Sequence, residues 1–589
     1  MGASIPRRSS VDRSTSPTGA PSGKPAVPKQ THSLTLSSSV VFGASLATQI
    51  VGFAASYFLY NHVGVNDAGK ALLGTVQLFL LIGSVINGVG DLRLSTAYTF
   101  FLARGKPAYE VTAAYLFVRM LMVGLAGLVI FVVAPLSLGG HQIATGSTQL
   151  MSIGVFAALP LLWSFSTVYN SMLIGLGDSA KAQYPSLVEA VARLPVLIFV
   201  SYYYPTIEGI TIGYVVGALA STIYSLPTVL RNLGRFRRLE VTRLFRFAWP
   251  LMGSLALGYL STNIIPFIVD AGLGATQLNI FLVANGWRIL VLSLPAAVAT
   301  PLFPYLAGLH RQEEYERIRR GTWQALRYSA MLLVPGVVAL VTYRSVFLGV
   351  FANATYASAG AVPLAILVVG AIPLAMSQIM QASINAIGRQ RLELYITAAQ
   401  VAVLFGAVFL LMPPWGILPP NQGLIAASVA VLAASLAALA LNTYFMETLI
   451  RVHLQPRSIL GILLSAAGGF WTISLFNRYL PHNRYYLLAA GVLLSFAVYF
   501  LVLILIGELT REDVRQIGAS VGVPARVYNL LARVCWRERS PGLLPVDLSR
   551  AAGLRPTELP ETFTGTTELP EIMSLPSEAP PKEPPDRRG

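Results

Sequence analysis

Three arginines lie about half-way along apolar stretches that are long enough to cross a membrane: Arg119, Arg193 and Arg288. An arginine at the centre of a membrane helix costs about 2.5–3.5 kcal/mol on insertion scales, so each must face protein or a wet cavity. A guanidinium is also well suited to bind phosphate through paired hydrogen bonds. We therefore expect a cationic cavity that accepts an anionic head group. The alternative is that each arginine snorkels, or pairs with a carboxylate and only holds helices together.

Three carboxylates accompany these arginines and are candidates either for charge partners or for sites that couple an ion. Glu189 precedes Arg193 by four residues, so both lie on one face of a helix and can partly neutralise each other. Asp91 and Asp270 each close an apolar stretch. Their positions at the ends of spans are compatible with either role.

Other residues give no sign of catalysis or of a cofactor. The six histidines are scattered without metal-ligand spacing, and the single cysteine, Cys535, allows neither an internal disulfide nor a cysteine-based metal site. The sequence contains no Walker A motif. We expect no catalytic residue, no metal and no cofactor, and hence a protein that is not an enzyme.

The composition indicates how these residues are positioned. The chain is 54% hydrophobic and only 12% charged, about half the charged fraction of a soluble domain. Its apolar blocks have the length of membrane helices. This pattern predicts an all-α polytopic membrane protein with about fourteen transmembrane helices. The predicted limits are 34–60, 70–90, 111–134, 150–174, 185–204, 210–230, 247–269, 279–302, 325–343, 361–386, 392–412, 422–446, 458–476 and 485–506.

The net charge of +16 is better explained by membrane topology than by nucleic-acid binding. Most Lys and Arg residues fall in the loops after even-numbered spans, whereas the loop 135–148 after span 3 has none. Positively charged short loops stay in the cytoplasm. We expect a multi-pass protein of the cytoplasmic (inner or plasma) membrane with both termini inside.

A basic loop at 231–246, with six arginines against one glutamate, divides the apolar region into two halves that repeat each other. Gly177 precedes Tyr184 by seven residues, and Gly388 precedes Tyr395 by the same interval. The repeated turn signals lie about 211 to 214 residues apart. This repeat predicts two pseudo-symmetric six-helix bundles around a central cavity, with two extra C-terminal helices.

The expected organisation combines these spans with two tails. Thr510–Ser540 has the pattern of a helix that lies on the anionic inner leaflet or docks, solvated, on the spans. The segments are a disordered cytoplasmic tail (1–33), an N-lobe of spans 1–6 (34–230), the basic loop (231–246), a C-lobe of spans 7–12 (247–446), spans 13–14 (447–506), a cytoplasmic amphipathic segment (507–540) and a disordered tail rich in Pro and Glu (541–589).

Several short motifs follow one another in a recognisable order. They are Val-Gly-Val-Asn-Asp-Ala-Gly-Lys-Ala-Leu-Leu-Gly (63–74), Gly-Val-Gly-Asp-Leu-Arg-Leu-Ser (88–95), Phe-Ala-Trp-Pro (247–250), Phe-Ala-Asn-Ala-Thr-Tyr (351–356) and Gly-Glu-Leu-Thr-Arg-Glu-Asp (507–513). Over roughly 34–515 the sequence resembles the Wzx-type polysaccharide biosynthesis and oligosaccharide flippases of the multidrug/oligosaccharidyl-lipid/polysaccharide (MOP) exporter superfamily.

The resemblance implies a transport mechanism without covalent chemistry. The head group of a polyprenyl-(pyro)phosphate-linked oligosaccharide would enter a cavity open to the cytoplasm, and the two lobes would rock to release it outside for cell-surface polysaccharide biosynthesis. The expected partners are this substrate, membrane lipids and polysaccharide-assembly proteins that bind the C-terminal tail, with no nucleic acid. Two alternatives stay open: a cation-coupled exporter of multidrug or small-molecule type from the same superfamily, and a transport-inactive scaffold of a cell-envelope complex.

Overall fold

The fold is known from a computed structural model, which describes residues 34–103, 105–133, 146–176, 178, 181–311, 314–412, 416–451, 456–479 and 485–511. Over these residues the chain forms sixteen α-helices and no strand. The tails predicted at 1–33 and 541–589, and most of the amphipathic segment at 507–540, lie outside the described residues. The helices are α1 (Leu34–Phe58), α2 (Asp67–Asp91), α3 (Leu94–Ala103), α4 (Ala108–Val133), α5 (Ser147–Gly175), α6 (Tyr184–Tyr203), α7 (Ile207–Arg231), α8 (Arg238–Leu273), α9 (Ala275–Arg311), α10 (Tyr315–Thr342), α11 (Arg344–Phe351), α12 (Ala354–Ala386), α13 (Gln390–Leu411), α14 (Gly423–Ile450), α15 (Pro456–Tyr479) and α16 (Tyr485–Ile506).

Thirteen of the described helices are long and apolar enough to cross a membrane. They coincide with the second to fourteenth predicted spans. The first predicted span is present as α1, a helix of 25 residues that is not among the thirteen. The predicted all-α membrane fold is therefore confirmed, and the predicted number of spans is close.

The helices form two bundles with the same order, α1–α7 followed by α8–α14. In the second bundle α9 runs through 37 residues without a break. Its counterpart in the first bundle, 67–103, is broken into α2 and α3 at Leu92 and Arg93, which have φ values of 40° and 62°. A left-handed conformation costs a non-glycine residue roughly 1–2 kcal/mol, so other contacts must stabilise this break.

The two bundles meet where α2 crosses α9, and the largest cluster of buried apolar side chains runs through both bundles at this crossing. Gly74 on α2 lies directly against the backbone carbonyl of Ala275, and a Cβ atom at this position would clash with it. Gly74 therefore permits the close approach of the two bundles. Phe79 and Ile82 on α2, with Phe281 on α9, contribute fully buried side chains to this cluster.

The extra helices α15 and α16 pack against α10 of the second bundle. Tyr328 and Met331 of α10 share a buried cluster with Tyr499 and Leu503 of α16. At the end of α16 the Glu508 backbone carbonyl accepts a hydrogen bond from Arg327, whose Nε lies 3.5 Å from the Glu508 carboxylate. This contact fixes the point at which the C-terminal tail leaves the bundle.

The basic loop predicted at 231–246 is shorter than expected, because α8 begins at Arg238. Leu244 and Ala248 lie one helical turn apart and are fully buried against N-lobe side chains. Burial of this apolar face explains why the arginine-rich sequence continues as a helix. We call residues 231–246 the linker below.

Candidate functional site

Arg119 lies on α4 and is fully buried inside the N-lobe. Its Nη1 donates a hydrogen bond to Asp91 Oδ1 at 2.8 Å, and its Nη2 donates to Thr167 Oγ1 at 3.0 Å and to Asn87 Oδ1 at 2.5 Å. These partners lie on α2 and α5, so a single guanidinium joins three helices. A buried ion pair is tolerated when further hydrogen bonds complete it, as they do here. In this conformation Arg119 stabilises the packing of α4 against α2 and α5.

Asp91 completes this network from the end of α2. Its Oδ1 also accepts a hydrogen bond from the Tyr115 hydroxyl at 3.0 Å, and its Oδ2 accepts one from Ser95 at 2.6 Å. The Asp91 side chain remains 20% exposed, whereas the Arg119 side chain is 0% exposed. The carboxylate is therefore the part of the network that reaches an opening. The break after α2 positions Ser95 to bind it.

Arg193 and Glu189 face each other on α6 in a looser arrangement. Arg193 Nη1 lies 3.9 Å from Glu189 Oε1, and the two side chains are 21% and 19% exposed. The guanidinium also lies over the ring of Tyr214 on α7, 4.7 Å from its centroid. Gly217 allows this approach of α6 to α7, because a Cβ atom there would lie 3.1 Å from the Arg193 Cβ. The long ion-pair distance leaves most of the hydrogen-bonding capacity of Arg193 unused.

Arg288 on α9 differs from the other two arginines in its electrostatic environment. Its Nη1 donates to Asn285 Oδ1 at 3.0 Å, and its Nε is buried with no hydrogen-bond partner among the described residues. No carboxylate in the described ranges forms an ion pair with it. The neighbouring Trp287 packs on Phe53 of α1 at 5.1 Å, which places Arg288 beside the junction of the two bundles.

The three predicted arginines share no hydrogen-bonding or ion-pair partner within the described residues. Arg119 is held by α2 and α5, Arg193 by α6 and α7, and Arg288 by its own helix. Asp270, near the end of α8, is partly buried, and its carbonyl accepts a hydrogen bond from Gly274 N at 2.9 Å. Gly274 has a φ of 84°, which explains the glycine at this turn.

Asparagine side chains that the sequence did not single out connect the two bundles. Asn353 Nδ2 donates to the carbonyls of Tyr60 at 3.0 Å and Gly64 at 3.2 Å, and Asn61 Nδ2 donates in return to the Phe351 carbonyl at 2.8 Å. Asn353 adopts a φ of 132°, a strained value that allows its side chain to span the junction.

A third asparagine extends this junction to α9. Asn279 Nδ2 donates to the Lys70 carbonyl at 3.0 Å and to the Tyr356 hydroxyl at 2.8 Å. We call the set Asn61, Asn279 and Asn353, with the groups they bind, the interlobe seam. The motifs 63–74 and 351–356 pack against each other here. Their presence and order were therefore the sequence features that could have indicated this contact between the bundles.

The comparisons with known proteins agree with this architecture. Residues 74–361 match a family model described as polysaccharide biosynthesis protein. No curated protein matches the sequence. Among solved structures, the chain is similar to the lipid II flippase MurJ in an inward closed conformation, with 13% identity, a TM-score of 0.64, and coverage of 80% of this chain and 99% of that one.

Two transporters of the MOP superfamily are also similar. One is an inward-facing multidrug resistance MATE family transporter, with 14% identity, a TM-score of 0.56, and coverage of 69% of this chain and 94% of that one. The other is a MOP superfamily transporter from Pyrococcus furiosus in which reverse polarity of the binding pocket suggests a different function, with 14% identity, a TM-score of 0.53, and coverage of 71% and 95%. At these identities the likeness establishes the fold.

Proposed function

We propose that this chain, whose residues 74–361 match a polysaccharide biosynthesis family model, is a flippase of the MOP exporter superfamily and moves a polyprenyl-(pyro)phosphate-linked oligosaccharide across the cytoplasmic membrane. The single observation that carries the proposal is the guanidinium of Arg288 beside the junction of the bundles, which forms no ion pair with any carboxylate of the described residues. A cation without a carboxylate partner in low-dielectric surroundings is stabilised by an anionic ligand. A phosphate or pyrophosphate head group supplies that anion.

Arg193 is the second proposed head-group contact. Its ion pair with Glu189 is 3.9 Å long, so a phosphate that donates no proton but accepts two hydrogen bonds competes well for the guanidinium. Arg119 already donates three hydrogen bonds from its two Nη atoms, one of them to the Asp91 carboxylate, and is proposed to position Asp91 rather than to touch the substrate. Asp91, Glu189 and Asp270 remain the candidates for coupling an ion or for charge partners.

The proposed cycle uses rigid movement of one bundle against the other. Polar contacts at the interlobe seam exchange protein partners for water when they open, and each such exchange costs only about 0.5–1.5 kcal/mol. The seam can therefore form and break during transport without unfolding either bundle. The prenyl tail stays in the lipid, and only the charged head group crosses between the bundles.

Export of surface polysaccharide in cells that depend on this chain tests the proposal. Arg288→Ala, and more strongly Arg193→Ala/Arg288→Ala, is expected to reduce export at least about tenfold, because a charge-assisted hydrogen bond contributes about 1.5–3 kcal/mol. Lipid-linked oligosaccharide should accumulate in the membrane at unchanged protein level. Arg317→Ala, which removes an exposed arginine paired with Glu314, is the matched control and should export normally. Normal export by the double variant contradicts the proposal.

A cation-coupled exporter of small amphipathic molecules is the second candidate, since the fold is equally that of a multidrug resistance transporter. The unpaired Arg288 favours an anionic substrate over the cationic compounds that such an exporter would carry. Drug susceptibility distinguishes the two functions. If the chain is a cation-coupled exporter, its loss should make cells more sensitive to cationic compounds and leave the amount of surface polysaccharide unchanged. A transport-inactive scaffold requires instead that removal of 541–589 abolishes function and that the Arg288 variant has no effect.

A further inference from the structure

The linker is attached to the N-lobe by side chains and backbone. Glu240 Oε2 accepts a hydrogen bond from Lys106 Nζ at 2.8 Å, and its Oε1 accepts one from Arg243. Gly234 lies against the Tyr109 carbonyl so closely that a Cβ atom would clash there. Glu240 is the only carboxylate of the linker, and within the described residues no ion pair compensates Arg231, Arg235, Arg237, Arg238 or Arg246.

The depth of the linker in the membrane follows from its contact with α4. Phe236 packs edge-on against Phe117, with ring centroids 4.9 Å apart. Phe117 is about half exposed, and Leu121, Leu125 and Leu128 continue an equally exposed stripe along the same helix. An apolar stripe of this kind on a spanning helix faces lipid. Phe117 lies about 13 Å from the start of α4, so Phe236 reaches the level at which acyl chains begin.

Exposed cations and exposed apolar side chains alternate along this part of the chain. Arg235, Arg237 and Arg238 are exposed and form no ion pair within the described residues. Phe236, which lies among them, and Leu239, which follows them, are exposed as well. We call these five residues the linker surface. This combination is typical of segments that lie in the interface of an anionic membrane, where each basic residue contributes roughly 1 kcal/mol.

We propose that the linker surface binds the phosphate head groups of anionic phospholipids, with Phe236 and Leu239 inserted among the acyl chains. The occupant is a bilayer lipid rather than an acidic protein, because Phe236 prolongs the lipid-facing stripe of α4. The bound lipids hold the N-lobe end of the linker at the membrane surface while the C-lobe moves. This surface lies apart from the arginines assigned to the transported head group, so the proposal stands independently of the proposed substrate.

Native mass spectrometry of the full chain in detergent, titrated with phosphatidylglycerol or phosphatidylcholine, tests this proposal. The variant Arg235→Gln/Arg237→Gln/Arg238→Gln is expected to bind phosphatidylglycerol at least about tenfold more weakly, with no change for phosphatidylcholine. The control Arg317→Gln/Arg344→Gln/Arg389→Gln removes the same charge from exposed positions elsewhere and should retain wild-type affinity. Equal affinity of wild type and linker variant, or an equal loss in the control, overturns the proposal.

Two further measurements separate lipid from other anions. Phe236→Ser/Leu239→Ser leaves the charge unchanged and is expected to weaken phosphatidylglycerol binding severalfold, since it removes the apolar anchor. An unchanged affinity in this variant contradicts insertion among acyl chains. Displacement of the lipid by millimolar inorganic phosphate would show that the linker surface binds free phosphate and would also overturn the assignment.

Discussion

At the scale of single residues, the arginines inside the bundles differ in how completely their charge is compensated. Arg119 is fully buried and donates hydrogen bonds to three side chains. Arg193 forms a long ion pair with Glu189 and lies over the ring of Tyr214. Arg288 donates one hydrogen bond, to the amide oxygen of Asn285. Compensation decreases in the order in which we assign them to substrate binding. A cation whose charge is already compensated by a carboxylate gains little from a phosphate, whereas a cation without such a partner gains most.

This order predicts opposite effects on stability. Arg119→Met leaves the partly buried Asp91 without its cation and also removes the hydrogen bonds to Asn87 and Thr167, so the free energy of unfolding should fall by about 3 kcal/mol. Arg288→Met removes a charge that has no carboxylate partner, and stability should stay unchanged or rise. Thermal unfolding of both purified variants in one detergent gives the comparison. A larger loss for Arg288→Met than for Arg119→Met contradicts the assignment of roles.

At the scale of elements, α2 connects the candidate site to the interlobe seam. Gly74 near its start touches the second bundle, Gly88 near its end lies against Tyr259 of α8, and Asp91 closes the helix in the Arg119 network. A rigid helix with contacts at both ends transmits a shift at one end to the other. The left-handed break after Asp91 separates α2 from α3, so α3 can remain attached to the linker while α2 shifts.

The attachment of the linker to the N-lobe should depend on pH through Glu240. Burial raises the pKa of this carboxyl, but the Lys106 hydrogen bond and the charges of Lys106 and Arg243 outweigh burial and hold the pKa below its ordinary value of 4.5. The stabilisation is therefore complete above pH 4.5 and is lost as the pH falls through the lowered pKa.

Thermal unfolding of wild type and Glu240→Gln at several pH values measures this contribution. At neutral pH the variant should be less stable by about 1.5–3 kcal/mol, and the difference should disappear in acid as wild-type Glu240 becomes protonated. The exposed Glu316→Gln serves as a control, because its ion pair with Arg319 lies at the surface and contributes little. A difference for Glu240→Gln that persists unchanged in acid would show that the charge of Glu240 is not what holds the linker.

At the scale of the whole molecule, hydropathy predicted the spans well because membrane helices are defined by length and composition. Contacts between helices were harder to predict. Glu189 and Arg193 share a helix, so their spacing indicates that they meet, whereas Asp91 and Arg119 lie on different helices and no sequence spacing joins them. The break at Leu92 and Arg93 carries no glycine or proline to mark it. In the sequence Asn353 is an ordinary polar turn residue, and its role depends on contacts with the first bundle that only the structure shows.

We propose that the two bundles separate at the interlobe seam in each transport cycle. Cross-linking tests it most directly, after the single native cysteine, Cys535, has been replaced by serine. The pair Asn61→Cys/Phe351→Cys joins the bundles where an amide and a carbonyl are 2.8 Å apart, and the pair Asn385→Cys/Glu393→Cys joins two positions of one bundle as the control. We predict that a thiol cross-link at the first pair stops polysaccharide export and that reduction restores it, while the control pair exports in both states. Full export by the protein cross-linked across the seam would contradict movement of the bundles as the basis of transport.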